Sequence, residues 1–216
     1  MIRLYFYVEG QTEQEYVARV LTPHLANFGA QVMGAVLTAS GRRHGHVFRG
    51  GGRRYQPMRN DLGRLLRQDG SADVRFTTMF DLYGLFDGFP GWDEAEKLRH
   101  IPQDRVLTLE EAFATDVDDP RFIPHIQLHE FETILLSEPG HFALIYEDAN
   151  NGIAALRKVV SEVKSPELVN DGKATAPSKR IIAQFPQYER QKTTFGAELA
   201  DKIQIVRAGG CDDADI

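Results

Sequence analysis

The sequence has little cysteine and no long apolar run. Cys211 is the single cysteine among 216 residues, so an internal disulfide and a zinc site built on paired cysteines are both excluded. No apolar stretch approaches the roughly 18 residues of a membrane-spanning helix, and the N-terminal segment MIRLYFYVEG lacks the features of a signal peptide. We therefore expect a soluble, cytoplasmic protein that does not associate with a membrane.

Familiar catalytic motifs are also missing. Gly50, Gly51 and Gly52 are not followed by the GK[ST] of a phosphate-binding Walker loop, and the sequence has no Rossmann glycine fingerprint and no GxSxG motif. His125 and His129 stand four residues apart but do not form the HExxH of zinc peptidases, and we favour their interpretation as core histidines. These absences exclude the commonest nucleotide-binding, serine-hydrolase and zinc-peptidase sites.

Acidic residues outnumber basic ones, and the positive charge is concentrated in one segment. The chain carries −6 overall, whereas residues 42–67 hold eight arginines and one acid and carry +7, which leaves −13 for the remainder. Guanidinium groups bind phosphate through paired hydrogen bonds, so this segment predicts contact with a nucleic-acid backbone. The alternative is a solvated arginine-rich loop without a ligand. The candidate nucleic-acid-binding residues are Arg42, Arg43, Arg49, Arg53 and Arg54.

Apolar strands alternate with amphipathic helices along the first part of the chain. Residues 2–8 form an apolar run that is typical of a buried parallel strand, and further strands are predicted at 31–38 and 74–80. Between the first two strands, Thr12 and Glu15 have the spacing of a capping box, which predicts a helix. This alternation predicts an α/β fold with a mainly parallel central sheet and helices on both faces.

The later part of the chain is predicted to be mostly helical. Helices are expected at 58–66, 93–100, 107–114, 152–163, 177–185 and 194–203. Residues 121–136 are ambiguous, because 122–128 suits a strand and 130–136 suits a helix. We expect residues 1–140 to form the α/β core, with the arginine-rich loop at 41–57. Residues 141–216 are expected to form a helical C-terminal extension packed on that core as part of one structural unit.

Five acidic residues lie where predicted strands end. Glu9 and Asp81 each close an apolar strand, Glu13 lies one helical turn after Glu9, and Glu130 and Glu132 follow a third apolar segment. The carboxyl ends of parallel strands meet at one edge of a sheet, where closely spaced carboxylates repel each other unless a cation neutralises them. Hard oxygen ligands suit Mg²⁺ or Mn²⁺. The sequence therefore predicts a metal site, although acids at strand ends are also commonly solvated or helix-capping.

Four ordered motifs resemble a known bacterial family. They are EGQTE, MFDLYGLFDGFPGW, RFIPHIQLHEFETILLSEP and NDGKATAPSKRI, and together they span nearly the whole chain. They resemble the uncharacterised family DUF4276, which in turn is similar to Toprim domains, the metal-dependent fold of topoisomerases, primases and overcoming-lysogenization-defect nucleases. Members of the family are often encoded beside a P-loop ATPase in anti-phage systems. The resemblance thus implies a Toprim-like fold and a nuclease-type activity.

The resemblance assigns roles to single acids near the first and third strands. Glu9 matches the invariant Toprim glutamate, Glu13 matches the second acid of the nuclease motif, and Asp81 matches the first acid of the Toprim DxD. The sequence departs from the pattern at Tyr83, which stands where that motif has its second acid. One of the two metal positions of such nucleases is therefore incomplete in this chain.

Residues further along the chain offer a replacement. Glu130 or Glu132 would supply the missing ligand. The two cannot face the same way in a helix, although they could in a strand, and Glu130 is slightly favoured. Lys179 is the candidate for the basic residue that such nucleases place on the transition-state phosphate. A lysine on a late helix is also commonly a solvated charge.

The sequence is compatible with two functions from different classes. The first is a phosphodiesterase that uses Mg²⁺ or Mn²⁺, acts on DNA or RNA and uses Glu9, Glu13, Asp81, Glu130 and Lys179 in catalysis. The second is a non-catalytic regulatory subunit that docks on an ATPase through a degenerate Toprim fold. Nucleic acid and a P-loop ATPase encoded nearby are the expected partners. The sequence leaves open the number of metals and whether the chain forms a homo-oligomer.

Overall fold

The computed structural model describes residues 1–38, 54–169 and 175–203. Within these ranges it contains a five-stranded sheet in which every strand pair is parallel. The strands are β1 (Ile2–Val8), β2 (Ala30–Leu37), β3 (Val74–Asp81), β4 (Phe122–Ile123) and β5 (Ile126–Gln127). The predicted α/β fold with a mainly parallel sheet is therefore confirmed.

Helices connect the strands and make up the C-terminal part of the described chain. They are α1 (Gln11–Tyr16), α2 (Thr22–Ala26), α3 (Tyr55–Gln68), α4 (Trp92–Glu96), α5 (Pro102–Val117), α6 (Glu132–Leu136), α7 (Asn150–Ser161), α8 (Pro177–Gln184) and α9 (Tyr188–Lys202). A π-helical turn at Val17–Leu21 joins α1 to α2, and single 3₁₀ turns lie at Leu82–Gly84, Pro139–Leu144 and Pro166–Leu168. Among the described helices, none has both the length and the apolarity needed to cross a membrane.

The C-terminal half of β1 is buried on both faces of the sheet, as its apolar run predicts. Phe6 and Val8 belong to a core formed with α1 and with α6 to α9, whereas Tyr7 belongs to a second core formed with α3 and α5. Successive side chains of a strand point to opposite faces, so β1 contributes to both cores at once. A strand of this kind has no solvated face, which explains why its sequence does not alternate with polar residues.

The strand order β2-β1-β3-β4 contains one reversal of direction. From β1 the chain crosses to β2 on one side, and it later returns to place β3 on the other side, with Val8 beside Leu37 and Met79. In open parallel sheets, ligands bind outside the carboxyl ends of the strands at such a reversal. The reversal lies between β1 and β3, whose ends carry Glu9 and Asp81.

Two local predictions differ from the structure. The predicted capping box at Thr12 is wrong, because α1 begins at Gln11 and Gly10 occupies the N-cap position with no side-chain cap. The helix starts earlier because the amide of Gln14 donates to the carbonyl of Gly10 at 3.2 Å, which places Thr12 inside the first turn. The predicted loop at 41–57 is wrong at its end, since α3 begins at Tyr55.

The ambiguous segment after α5 contains both a strand region and a helix. Pro124 interrupts the strand region, because proline cannot donate a ladder hydrogen bond, and β4 and β5 lie on either side of it. The hydroxyl of Thr78 on β3 bridges the gap: it accepts from the amide of His125 at 2.9 Å and donates to the His125 carbonyl at 2.8 Å. The helix α6 then begins at Glu132.

Other predicted elements are present with shifted ends. The helix predicted at 107–114 belongs to α5, which runs from Pro102 to Val117, and the last helix begins at Tyr188 rather than at 194. The C-terminal helices lie directly on the core, since Leu199 of α9 and Ile181 of α8 share the buried cluster that contains Val8. The division into a 1–140 core and a 141–216 extension stays a prediction.

Candidate functional site

Glu9 and Asp81 lie side by side at the ends of β1 and β3. The backbone amide of Asp81 donates to Oε2 of Glu9 at 3.4 Å. The Glu9 carboxylate also lies against Gly84, where a Cβ atom would come within 2.6 Å of Glu9 Oε2. Glycine is thus the residue that leaves room for this carboxylate in the turn that follows β3.

Glu13 lies in the first turn of α1 and points back toward the sheet edge. Its side chain is buried, with 7% exposure for the residue, and a Cβ on Gly10 would approach Glu13 Oε2 to 2.9 Å. Burial raises the pKa of Glu13 from 4.5 to about 7, and the charges of Glu9 and Glu132 add to this effect. Backbone amides of the same turn act in the opposite direction. A substantial fraction of Glu13 therefore holds a proton at neutral pH.

The pKa of Asp81 is affected by all four of the other predicted acids. Its Oδ1 atom is shielded from solvent and has no hydrogen-bond partner among the residues that the structure describes. Burial raises its pKa well above the usual value, and the charges of Glu9, Glu13, Glu132 and Glu130 raise it further, in that order. The structure thus brings the other four predicted acids within electrostatic reach of Asp81. We call Glu9, Glu13, Asp81, Glu130 and Glu132 the carboxylate cluster.

The two later members of the cluster already have partners from the C-terminal helices. Glu130 Oε2 accepts a hydrogen bond at 2.9 Å from the amide of Ser178, in the first turn of α8. Glu132 Oε1 lies 2.9 Å from Nζ of Lys192, and the hydroxyl of Tyr188 donates to the same oxygen at 3.5 Å. Both carboxylates are therefore compensated by the protein itself.

Lys192 is a residue that the sequence analysis missed. It lies one helical turn after Tyr188 on α9, so both side chains reach Glu132 from the same face of that helix. The sequence does show that Tyr188 and Lys192 share one face of a helix, but it does not indicate that Glu132 is the residue they contact. The sequence candidate Lys179 lies exposed on α8, next to Ser178.

The position of the missing second acid is occupied by an aromatic pair. The ring of Tyr83 stacks on His129, with 5.2 Å between the ring centroids. His129 is buried and adopts a left-handed backbone conformation with φ of 70°, and neither ring nitrogen has a hydrogen-bond partner within the described ranges. Burial lowers the pKa of His129 to about 4, with the charge of Arg105 adding to the effect, so the ring is neutral at neutral pH.

Most of the predicted nucleic-acid-binding arginines lie outside the described residues, namely Arg42, Arg43, Arg49 and Arg53. Arg54 is described and is exposed just before α3. Two further arginines of the 42–67 segment form ion pairs on α3: Arg59 Nε lies 2.7 Å from Asp116, and Arg64 pairs with Asp61 on its own helix. Part of the positive segment is therefore used for internal ion pairs.

The donor chemistry of the cluster suits a hard divalent cation, but its arrangement is not that of a preformed site. Across residues 1–38, 54–169 and 175–203, no group of three or more Asp, Glu, His or Cys side chains is placed to hold a metal ion. The unpartnered Oδ1 of Asp81 and the repulsion between Asp81 and the carboxylates of Glu9 and Glu13 are what a cation would relieve. Binding of a cation would therefore require some of these side chains to turn.

Comparisons with known proteins identify the family. A family model described as a domain of unknown function, DUF4276, matches residues 8–211, which confirms the family predicted from the four motifs. A search of curated proteins returns no match. Among solved structures, the C-terminal region of the Burkholderia pseudomallei OLD protein is similar, with 15% sequence identity over 94% of this chain and 88% of that chain and a TM-score of 0.43. A likeness of that degree carries no conclusion about activity.

Proposed function

The chain belongs to the DUF4276 family, and we propose that it is a metal-dependent phosphodiesterase that acts on nucleic acid. Glu9, Glu13 and Asp81 are the proposed ligands of Mg²⁺ or Mn²⁺. The observation that carries the proposal is the state of Asp81: its Oδ1 has no hydrogen-bond partner in the described part of the chain, while four other carboxylates raise its pKa. A cation is the ligand that removes this repulsion.

Each of these residues has a defined task in the proposed site. Asp81 ends β3 and Glu9 directly follows the neighbouring strand β1, so both acids are positioned by the central part of the sheet. Glu13 is the adjustable member, because with a pKa of about 7 it can give up its proton when a positive charge arrives. A bound divalent ion would supply charge neutralisation for the phosphodiester and lower the pKa of an attacking water. Glu130, tied to α8, stays at the edge of the cluster.

The substrate class follows from the positive segment. Arg42, Arg43, Arg53 and Arg54 are proposed to hold the phosphate backbone, and the log of DNA affinity changes by about −0.9 per phosphate contact against log salt. Alanine at these four positions should flatten that slope by up to about four units if each guanidinium engages a phosphate. An unchanged slope and affinity would remove nucleic acid as the substrate.

Metal-dependent stabilisation tests the proposal without an assumed substrate. Cation binding only to the folded state should raise the melting temperature by mass action, with about 2.7 kcal/mol gained at 100 times the dissociation constant. Glu9→Gln should abolish this gain and any Mn²⁺-dependent cleavage of DNA and RNA oligonucleotides. Glu15→Gln is the matched control, since Glu15 lies on α1 but pairs with Arg19 at the surface. A melting curve that does not move with Mg²⁺ or Mn²⁺ would reject the metal site.

A non-catalytic docking subunit is the second candidate, and two observations favour it. The described residues hold no preformed metal group, and Glu130 and Glu132 are compensated by the protein. In addition, Leu107 and Val106 of α5 line a cavity of about 250 Å³ beside β5, and Leu107 is exposed. On this alternative the metal titration would be silent, and Leu107→Ser would weaken co-purification with an ATPase encoded nearby while Glu9→Gln would not.

A further inference from the structure

A cavity of about 180 Å³ lies between the sheet and the helices α1 and α6. Its walls are mostly apolar: the rings of Phe6 and Tyr16 border it together with the aliphatic side chains of Leu21, Met79 and Ile134. An engineered cavity of about 150 Å³ in another protein binds benzene. The cavity described here is therefore large enough for one planar ring.

The main polar group in this cavity is the carboxamide of Gln127, which is only 8% exposed. Ile126 points into the core formed with α3 and α5, and successive side chains of a strand point to opposite faces. Gln127 therefore points to the other face, where Phe6 and Met79 lie. Within the described ranges, no residue is hydrogen-bonded to this carboxamide. A buried amide without a partner is unfavourable, and its donor and acceptor together match the edge of a heterocyclic base.

Two other polar residues at the cavity have different roles. The hydroxyl of Thr78 is occupied by the backbone amide and carbonyl of His125, so Thr78 contributes only to the wall. The side chain of His125 also borders the cavity and is 54% exposed, which places the opening at the edge of the sheet. A ring can therefore enter from solvent beside His125 and meet Gln127 inside.

The cavity adjoins the carboxylate cluster. Met79 and Asp81 are two residues apart on β3, so their side chains lie on the same face of the sheet. Gln127 pairs in register with Asp81 from the neighbouring strand. On the helical side, Tyr16 lies three residues after Glu13, on the same side of α1. A group bound in the cavity is therefore held next to the carboxylates.

We propose that this cavity binds a pyrimidine base, with its ring against Phe6 and Tyr16 and its polar edge on Gln127. The volume accommodates a single ring with its substituents, whereas a purine carries a second, fused ring. Proteins recognise bases that are turned out of a strand in this way, by contact with aromatic rings and by hydrogen bonds to the base edge. The inference deepens the proposed function, because it names the part of the nucleic-acid substrate that the chain recognises, but the binding does not depend on a cation.

Calorimetric titration of the chain with uridine, in a buffer that contains a chelator, tests the inference. We expect saturable binding of uridine and weaker binding of adenosine, because the second ring of adenosine does not fit. Gln127→Leu should weaken uridine binding about tenfold, which is roughly the effect of losing one hydrogen bond. Leucine is apolar and of similar size, so this variant should keep the fold. Gln103→Leu is the matched control, because Gln103 borders the cavity beside α5.

A second variant changes the shape of the cavity and leaves Gln127 in place. Leu21→Phe adds a larger side chain to the wall and should abolish uridine binding without lowering the melting temperature, since it fills empty space. Where Gln127→Leu does not fold, Leu21→Phe decides. A short uridine oligonucleotide should compete with uridine for the cavity. Failure to compete would identify a free nucleoside as the ligand and would overturn the link to a nucleic-acid substrate.

The outcomes of these titrations are separate from the test of the metal site. The inference is overturned if uridine does not bind, if adenosine binds equally well, or if both cavity variants keep the wild-type affinity. None of these results changes the melting curves with Mg²⁺ or Mn²⁺, which test the proposed catalysis. Conversely, a silent metal titration in a chain that binds uridine removes the proposed catalysis and leaves the base-binding cavity in place.

Discussion

Replacing Glu13 by glutamine should remove much of the pH dependence of stability in the metal-free protein. The pKa of Glu13 is raised from 4.5 to about 7 in the folded state, so the folded protein holds a proton that the unfolded chain has lost in this range. The stability contributed by this proton is complete below about pH 4.5 and is lost as the pH rises through about 7. One pKa unit corresponds to about 1.4 kcal/mol, so the loss amounts to about 3 kcal/mol.

Urea denaturation in a buffer with a chelator measures this effect. The free energy of unfolding of the wild-type protein should fall between about pH 4.5 and about pH 8, and Glu13→Gln should lack that part of the fall because its amide does not titrate. Glu15→Gln is the control, because Glu15 is 47% exposed on the same helix and its charge is solvated. Identical pH profiles for Glu13→Gln and the wild-type protein would refute the assignment of the buried proton to Glu13.

Three further predictions concern other parts of the structure. Gly84→Ala should destabilise the fold by about 1–3 kcal/mol and weaken Mn²⁺ binding, because the Glu9 carboxylate lies where the new Cβ atom would be. Gly70→Ala is the control, since a Cβ atom there meets nothing within 4 Å, and melting curves with and without Mn²⁺ compare the two variants. The buried ring of His129 resists protonation, so the protein should lose about 3 kcal/mol of stability as the pH falls from 6.5 to about 4. His129→Asn should abolish this loss, because asparagine does not titrate and tolerates the positive φ at this position; urea denaturation across that pH range measures the effect. Leu62→Ala should cost about 2–5 kcal/mol in urea denaturation because Leu62 is fully buried, while Leu107→Ala at the surface should stay within about 0.5 kcal/mol.

The central strands and the position of the acids could be predicted because they depend on short, strong patterns. β1 is apolar on both faces, as a strand at the middle of a parallel sheet is, and β3 is rich in β-branched and aromatic residues. Glu9 and Asp81 end these strands, so the rule that neighbouring parallel strands end at one edge places them together. The sequence does not give the strand order, and only the structure shows that the direction of the chain across the sheet reverses between β1 and β3.

The partners of the acids could not be predicted, since they depend on how distant helices pack. Lys192 reaches Glu132 from α9, and Ser178 reaches Glu130 from α8, and the separation along the chain between each acid and its partner gives no indication of these contacts. The capping box at Thr12 had the right residues but the wrong register, because the turn at Gly10 starts the helix earlier. The left-handed backbone of His129 is likewise set by tertiary contacts and not by local propensity.

The pairing of β1 with β3 also determines when in folding the acids first meet. Glu9 and Asp81 are 72 residues apart in the chain, and only the closure of that long loop brings them into contact. A disordered chain, or a local hairpin of strand and helix, does not experience their repulsion. The unfavourable charge therefore enters at the non-local step that joins β3 to β1, and steps of this kind limit the folding rate of sheets with distant partners. We expect protons or a cation that neutralise the acids to make this step easier, so the carboxylates that form the site would also influence how fast the central sheet closes.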